Sequence, residues 1–262
     1  MKTSQLTTFV LIFFIFLAKG WSYILPLDFV LKQTTQKTGR SLISVDYEVL
    51  FKNEKEQIKV FENWFIDGDR NLKVIATGAD LHQQNIRISS LFNSKNKFQV
   101  TGKVRNTYQL STEFFQKAAF IRDPNDLLEF IKQNKIVLSS KLSRADGRIC
   151  IAVGESSSEN STHPMIWFDQ DDFLIRKIRL PNDVEVSFSD YFKVSEDFWL
   201  AKKQIVVWGK NTATINLKGY ATKLNNRTSH FSIQDFSQPS EIGFPESTAL
   251  TQAVDEFYKR FR

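Results

Sequence analysis

Residues 164–191 decide the fold, and they read PMIWFDQDDFLIRKIRLPNDVEVSFSDY. Short segments rich in β-branched and aromatic residues are separated by two polar turns, Asp169 to Asp172 and Pro181 to Asp183. Segments of this kind, bounded by Pro, Asn and Asp, are typical of β-strands that tight turns connect. The stretch therefore predicts three consecutive antiparallel strands.

The same pattern extends in both directions along the chain. Apolar and polar residues alternate from Ile43 to Phe51 and from Ile58 to Ile66, which is typical of half-buried strands. Further strands are predicted at residues 72–76, 85–92, 97–104, 136–142, 148–154, 197–209 and 212–222. Helix patterns occur near residues 26–39, 112–120, 123–134 and 246–262. This order predicts an α+β fold, mainly antiparallel β, with one strongly curved sheet and short helices that cover its concave face.

Residues 1–20 are typical of a secretory signal peptide. An apolar run from Phe9 to Ala18 follows a short polar segment and is closed by small residues. The run is shorter than the roughly 20 residues that cross a bilayer, so a retained anchor is the less favoured alternative. Cleavage is expected after Gly20 or Ser22, and residues 21–262 are predicted to form a single domain, because no repeat, linker or charge block divides them. We expect a periplasmic protein without a lipid anchor, since no cysteine directly follows the run.

Composition and motifs indicate neither a nucleic-acid-binding protein nor an enzyme. The net charge of +6 is spread along the chain and forms no basic cluster. The three histidines lack the spacing of metal ligands, and no glycine-rich phosphate loop or nucleophile elbow occurs. The single cysteine, Cys150, lies in a strand-like apolar run and is interpreted as a buried residue instead of a reactive thiol. We therefore predict no catalytic residue, no metal and no cofactor.

Glu62 is a charged residue on an otherwise apolar strand face. It lies in register with Val60 and Trp64, and a charge on such a face must be paired or lie at a wet rim. The sequence leaves three explanations open. A basic neighbour such as Arg70 pairs with it, a bulge turns it outward, or it makes a polar contact at the mouth of a cavity.

Aromatic residues are the better functional signal, because the chain contains 24 phenylalanines and five tryptophans. They occur on many predicted strands and on both strand faces. One interpretation is a sheet that is apolar on both faces, or a barrel with a filled interior. The other is a concave pocket for acyl chains, roofed by the helices at residues 112–134. The residues predicted to line such a cavity are Phe51, Trp64, Leu128, Ile131, Trp167, Phe188 and Phe198.

The chain resembles the outer-membrane lipoprotein-sorting group that contains LolA, LolB and the sensor RseB. The motifs are a Pro-x-x-Trp-x-Asp hairpin at Pro164–Asp169, a basic return strand at Arg176–Arg179 and the strand Val186–Tyr191. A Glu62-x-Trp64 segment before a Gly-Asp turn is also similar, and the resemblance spans about residues 40–222. It implies a half-open β-barrel with helices as a lid. In the LolA branch, the resemblance implies a cavity that shields the acyl chains of a lipoprotein in the periplasm.

Some features depart from LolA. Residues 67–74 replace the basic, proline-containing segment that follows the early tryptophan strand, and the lid-contacting arginine of LolA matches no residue here. The C-terminal helix is also particular to this chain. We therefore expect the resemblance to LolA to predict the fold of this chain better than the identity of its cargo.

The sequence thus predicts a non-enzymatic periplasmic carrier. Its expected partners are lipid or lipoprotein acyl chains, with envelope proteins and transient membrane contact, for transfer towards the outer membrane. The alternative is an RseB-like sensor or assembly partner that binds protein, and a large exposed apolar patch or a sheet-edge contact would indicate it. A third alternative is an enzyme with an unrecognised site.

Overall fold

The structure is a computed structural model of the 262-residue chain. It describes residues 24–68, 70–79, 85–93, 95–101, 104–155, 162–222, 224, 230–232, 240–244 and 246–262. The predicted signal peptide, residues 1–20, lies outside the described residues. Among the described residues, no helix combines the length and the apolar character needed to cross a membrane.

One antiparallel sheet contains all of the described strands. The strands are β1 (Ile43–Lys52), β2 (Gln57–Ile66), β3 (Leu72–Gly78), β4 (Ile86–Phe92), β5 (Asn96–Thr101), β6 (Val104–Gln109), β7 (Ser140–Ala145), β8 (Arg148–Gly154), β9 (Met165–Asp169), β10 (Ile175–Leu180), β11 (Val184–Ser195), β12 (Phe198–Trp208), β13 (Asn211–Ala221) and β14 (Glu241–Ile242). Strands β1 to β6 form one meander and β7 to β13 form another. Pairing of β1 with β13 joins the two, and β14 adds to β4.

The sheet does not close on itself among the described residues, because β6 and β7 are its two ends. An open, curved antiparallel sheet of this size with short helices is the half-open barrel that the sequence predicts, so the predicted fold class is confirmed. The predicted strand at residues 97–104 is in fact the β5–β6 hairpin, which extends the sheet to Gln109.

Local turn chemistry accounts for the hairpins of the second meander. Asn182 and Asp183 have φ values of 62° and 55° between β10 and β11. Asp146 and Gly147, with φ values of 49° and 77°, connect β7 to β8. Two consecutive residues with positive φ give the turn twist that matches the right-handed twist of the strands, and Asn, Asp and Gly tolerate this conformation best. The predicted turn at residues 181–183 is therefore confirmed.

Three α-helices and one short 3-10 helix accompany the sheet within the described residues: α1 (Leu27–Thr35), the 3-10 helix (Phe115–Ala119), α2 (Pro124–Gln133) and α3 (Ala249–Arg260). Asp123 caps α2 by accepting a hydrogen bond from the Asn125 amide at 2.8 Å, and Pro124 occupies the first helical position. Thr248 caps α3 through a reciprocal pair of hydrogen bonds with Thr251. The helix predicted at residues 112–120 is reduced to the 3-10 helix.

The main hydrophobic core lies between the sheet and the helices. It contains inward-facing residues of both meanders together with residues of all the helices. We call this side of the sheet the interior. Helix α3 contributes Leu250, Val254, Phe257 and Tyr258, and Phe261 follows directly after the helix. The C-terminal segment, defined here as residues 249–262, therefore forms part of the interior.

Candidate functional site

The structure brings six of the seven predicted cavity residues together. Phe51, Trp64, Ile131, Phe188 and Phe198 are buried in the main core, and the partly buried Leu128 packs against it. Their strands come from both meanders, and Leu128 and Ile131 come from α2. The candidate site is thus the interior, where strand alternation directs these side chains.

Trp167 lies elsewhere. Its neighbours on β9, Ile166 and Phe168, belong to the main core, so the strand alternation directs Trp167 to the opposite face. There it packs in a separate small cluster with Ala145, Cys150, Ala152 and Met165. Lys177 and Arg179 lie 5.4 Å from its ring, an arrangement typical of cation–π contacts. The structure therefore places Trp167 on the outer face, away from the other six predicted cavity residues.

A stack of three aromatic rings forms one wall of the interior. Trp64 on β2 stacks on Phe92 of β4, with ring centroids 6.1 Å apart, and on Phe114, at 6.2 Å. Phe92 and Phe114 stack on each other at 4.5 Å. Phe114 precedes the 3-10 helix, so this loop is held against the sheet by its aromatic side chain. Offset aromatic contacts of this kind stabilise the packing beyond the contribution from burial of apolar surface.

The C-terminal segment occupies the middle of the interior. Phe257 makes edge-to-face contact with Phe51 at 5.1 Å and lies 5.6 Å from the ring of Trp208. Phe261 contacts the same Trp208 at 5.5 Å and Phe115 at 6.1 Å. Both phenylalanines are fully buried. The apolar interior predicted from the sequence is thus already filled by the chain itself.

Glu62 and Arg262 form a buried ion pair at the centre of this packing. The Arg262 Nε atom donates to Glu62 Oε1 at 3.0 Å and to Oε2 at 3.3 Å, and both side chains are at most 1% exposed. The Trp64 indole donates to Glu62 Oε2 at 2.9 Å. The guanidinium lies 5.2 Å from the ring centroids of Trp64 and Phe115, and 4.8 Å from Phe257. The cation therefore has one carboxylate partner and three aromatic neighbours.

This pair resolves the question that the sequence left open about Glu62. Its partner is basic, but it is Arg262 instead of Arg70, which pairs with Asp126 on α2. No local pattern could have identified Arg262, because it lies 200 positions from Glu62 in the chain. The only available signal was the charge itself, since a carboxylate on an apolar strand face requires a cation.

Two further polar contacts hold the end of the C-terminal segment. Arg260 donates to both oxygens of Glu113, at 2.8 and 3.0 Å. Burial raises the pKa of Glu113, but hydrogen bonds from Arg260 and Asn182 outweigh it and lower the pKa below its ordinary value. The Lys97 ammonium donates to the main-chain oxygens of Arg262 and Tyr258. Burial, assisted by the nearby Arg262, lowers the pKa of Lys97 to about 8.

A groove with a volume of about 580 Å³ runs beside the C-terminal segment. Its apolar lining includes Phe92, Tyr108, Leu110 and Phe114 on one side and Tyr258 on the other. Arg262 is also among the residues that line it. We refer to it as the groove below.

No group of three or more His, Cys, Asp or Glu residues among the described residues could hold a metal ion. Cys150 lies in the outer-face cluster, and burial raises the pKa of its thiol to about 11. A thiol with a raised pKa is a poor nucleophile. The arrangement suits binding of apolar groups around one buried ion pair.

Comparison with known proteins identifies the fold. No protein-family model and no curated protein matches the sequence. Among matching solved structures, a domain from Vibrio parahaemolyticus with a provisional assignment to outer-membrane lipoprotein sorting is 12% identical, with a TM-score of 0.57 over 81% of this chain and 98% of that one. A LolA superfamily protein from Nitrosomonas europaea is 8% identical, with a TM-score of 0.54 over 80% and 99%. A DUF1329 family protein from Desulfovibrio piger is 10% identical, with a TM-score of 0.51 over 80% and 97%.

Each of these structures is matched over at least 97% of its own length, while the identities are too low to carry over any function. The resemblance predicted from residues 164–191 and from the Glu62-x-Trp64 segment is thus confirmed as a likeness of fold. The chain thus shares its fold with a LolA superfamily protein and with a domain provisionally assigned to outer-membrane lipoprotein sorting.

Proposed function

We propose that the protein is a non-enzymatic periplasmic carrier that binds the acyl chain of a lipid or lipoprotein in its interior. The observation that supports this most is the way in which the interior is closed. The C-terminal segment packs its apolar side chains into the main core, and α3 takes no part in the strand pairing. The segment can therefore leave without breaking a hydrogen bond of the sheet ladder, and an acyl chain then takes its place.

The apolar contributions of the two occupants to the free energy of binding are similar. Helix α3 and the residue after it bury five large apolar side chains, each of which contributes about 1.5–3 kcal/mol, or about 8–15 kcal/mol together. Those side chains are Leu250, Val254, Phe257, Tyr258 and Phe261. An acyl chain of about 16 carbons gains about 0.8 kcal/mol per buried CH₂, or about 13 kcal/mol. An exchange between occupants of similar free energy is reversible, as loading and unloading of a carrier require.

The groove provides the entry for the chain. Its volume of about 580 Å³ lies within the range of small-molecule sites, roughly 300–1,000 Å³. Phe92 and Phe114 line the groove and also stack on Trp64 in the interior. An acyl chain in the groove thus contacts the aromatic wall before the C-terminal segment moves.

The test is native mass spectrometry of the mature protein purified from the periplasm, followed by titration of the delipidated protein with a fluorescent palmitoyl probe. We expect a bound lipid or acylated protein and saturable binding of the probe. Phe114→Ala should weaken binding, since its ring lines the groove, whereas Trp167→Ala on the outer face should not. Hydrogen exchange in residues 249–262 should become faster when the probe binds. An empty protein that takes up no probe, or binding with unchanged protection of these residues, would contradict the proposal.

The second candidate function is an RseB-like sensor or assembly partner that binds protein. It is favoured by exposed apolar residues beside the β7 end of the sheet, where the backbone of β7 pairs only with β8 among the described strands. The exposed residues are Val137, Leu138, Leu142 and Ile149. Such a patch at a sheet edge suits the addition of a strand from a partner protein.

The same purification separates the two functions. A sensor should retain a protein partner and no lipid, and Leu142→Lys at the sheet edge should release that partner. For the carrier, the same substitution should leave lipid binding unchanged, because Leu142 lies in neither the groove nor the buried core.

A further inference from the structure

The C-terminal segment brings positive charge into the interior. Its Arg262 pairs with Glu62, and its Arg260 pairs with Glu113. Both carboxylates belong to parts of the chain outside the segment, Glu62 to β2 and Glu113 to the loop before the 3-10 helix. The acidic partner of each pair thus stays behind when the segment leaves.

The vacated interior therefore has a defined charge. Of the described residues whose charged groups contact the segment's last three residues from outside it, two are carboxylates, Glu62 and Glu113, and one is an ammonium, Lys97. Glu113 lies near the surface end of the segment, with its side chain 11% exposed, whereas Glu62 is fully buried. A buried carboxylate without a cation is strongly unfavourable, and a purely apolar occupant would leave Glu62 in that state.

The surroundings of Glu62 are also built for a cation. Trp64 and Phe115 present their rings to the guanidinium at 5.2 Å, and neither belongs to the C-terminal segment. The Trp64 indole remains hydrogen-bonded to Glu62 Oε2 at 2.9 Å, which fixes the carboxylate. An aromatic face beside a fixed carboxylate binds ammonium and guanidinium groups and gives no equivalent partner to a neutral group.

We infer that the interior selects an acyl ligand that carries a basic group next to its chain, and that this group replaces the guanidinium of Arg262 on Glu62. The inference rests on the proposed acyl-binding function and narrows its ligand to acylated peptides with Lys or Arg beside the lipid. Arg262 is one of the residues that line the groove and is also the partner of Glu62, so a ligand in the groove contacts the residue whose guanidinium its basic group replaces.

The experiment uses three palmitoylated peptides of one sequence, with Lys, norleucine or Glu beside the acylated residue, and the lysine peptide without palmitate. Each is titrated into the full-length mature protein at concentrations below micelle formation, and binding is followed by calorimetry. We expect the palmitoylated lysine peptide to bind at least about tenfold more tightly than the norleucine peptide, because hydrogen bonds to a charged group are among the stronger ones. The glutamate peptide should bind most weakly.

Two substitutions connect this preference to the ion pair. Glu62→Gln should abolish the lysine-over-norleucine preference. Arg262→Gln removes the competing guanidinium and leaves Glu62 in place. It should increase the affinity for the palmitoylated lysine peptide by about tenfold or more. Glu113→Gln is the matched control, because it also removes a carboxylate partner of the C-terminal segment. It should change the affinities for the lysine and norleucine peptides by the same factor and leave the lysine-over-norleucine preference intact.

The outcomes separate this inference from the proposed function. Equal binding of the three palmitoylated peptides, or a preference that survives Glu62→Gln, would overturn the inference and leave acyl binding standing. If Glu62→Gln does not fold, the Arg262→Gln variant provides the test. An unchanged affinity of this variant for the palmitoylated lysine peptide would also overturn the inference. If none of the palmitoylated peptides binds, or if the peptide without palmitate binds as tightly as its acylated form, acyl binding itself fails.

Discussion

Arg262→Met should destabilise the protein by several kcal/mol. The methionine keeps apolar contact with the surrounding rings, but Glu62 loses the guanidinium that lies 3.0 Å away. Water does not replace this partner, since both side chains are at most 1% exposed. Removing one partner of a buried ion pair costs about 3–5 kcal/mol, because the remaining charge stays buried. We expect the free energy of unfolding to fall by this amount.

A double-mutant cycle isolates the charge effect from packing. Glu62→Gln keeps an oxygen for the Trp64 indole, which donates to Glu62 at 2.9 Å, but leaves the guanidinium unpaired, so its cost should be similar. The variant with both substitutions contains neither buried charge. It should lose less than the sum of the single losses, with a coupling energy of about 2 kcal/mol, which is within the range for residues in direct contact.

Urea denaturation followed by tryptophan fluorescence gives the free energy of unfolding of all four proteins, provided that the m-values agree. Single losses below about 1 kcal/mol, as for an exposed ion pair, would refute the reasoning, because they would mean that water solvates Glu62. Strictly additive losses would do so as well, since two residues that act through one ion pair cannot be independent.

Other consequences of the structure can be checked separately. Phe257→Ala removes a fully buried ring and should lower the free energy of unfolding by about 3–5 kcal/mol. Lys259→Ala, on the exposed side of α3, should change it by less than about 0.5 kcal/mol. If urea denaturation gave similar losses for the two variants, the placement of α3 would be wrong. Trp167→Glu should leave the affinity for the palmitoyl probe unchanged in a fluorescence titration, because the ring lies on the outer face beside two basic side chains. A loss of affinity would mean that Trp167 belongs to the acyl-binding site. The pKa of Glu113 lies below its ordinary value of 4.5, so its contribution to stability is present above about pH 4.5 and is lost as the pH falls below that value. Hydrogen exchange in residues 249–262 should therefore become faster relative to the rest of the chain on acidification, and a Glu113→Gln variant with an equal pH dependence would refute this.

Much of the sheet can be predicted from the sequence because strand signals are local. Alternation in residues 43–51 and 58–66 predicts β1 and β2, and their observed register places Val45 opposite Trp64 and Val49 opposite Val60. The turn at residues 181–183 depends only on the tolerance of Asn and Asp for positive φ. The 3-10 helix was predicted less well, since a short aromatic loop buried against the sheet carries no regular helical period.

The candidate site, like the sheet, could be predicted only in part from the sequence. Alternation predicts that Trp64 and Trp167 each lie on one face of a strand, but it does not say which face becomes the interior. The twist of the sheet and the position of the helices decide that, and they place the two tryptophans on opposite sides. An amphipathic helix pattern in residues 246–262 likewise predicts a buried face without naming the surface that buries it.

By itself, the sequence determined the strands, the hairpins between them and the presence of an apolar helix near the C-terminus, because each depends on residues close together in the chain. Only the tertiary structure decided that this helix fills the interior and that Arg262 is the partner of Glu62. These contacts join residues up to 200 positions apart. Such contacts form only when the two meanders and α3 enclose one common core, and no local pattern of side chains specifies them.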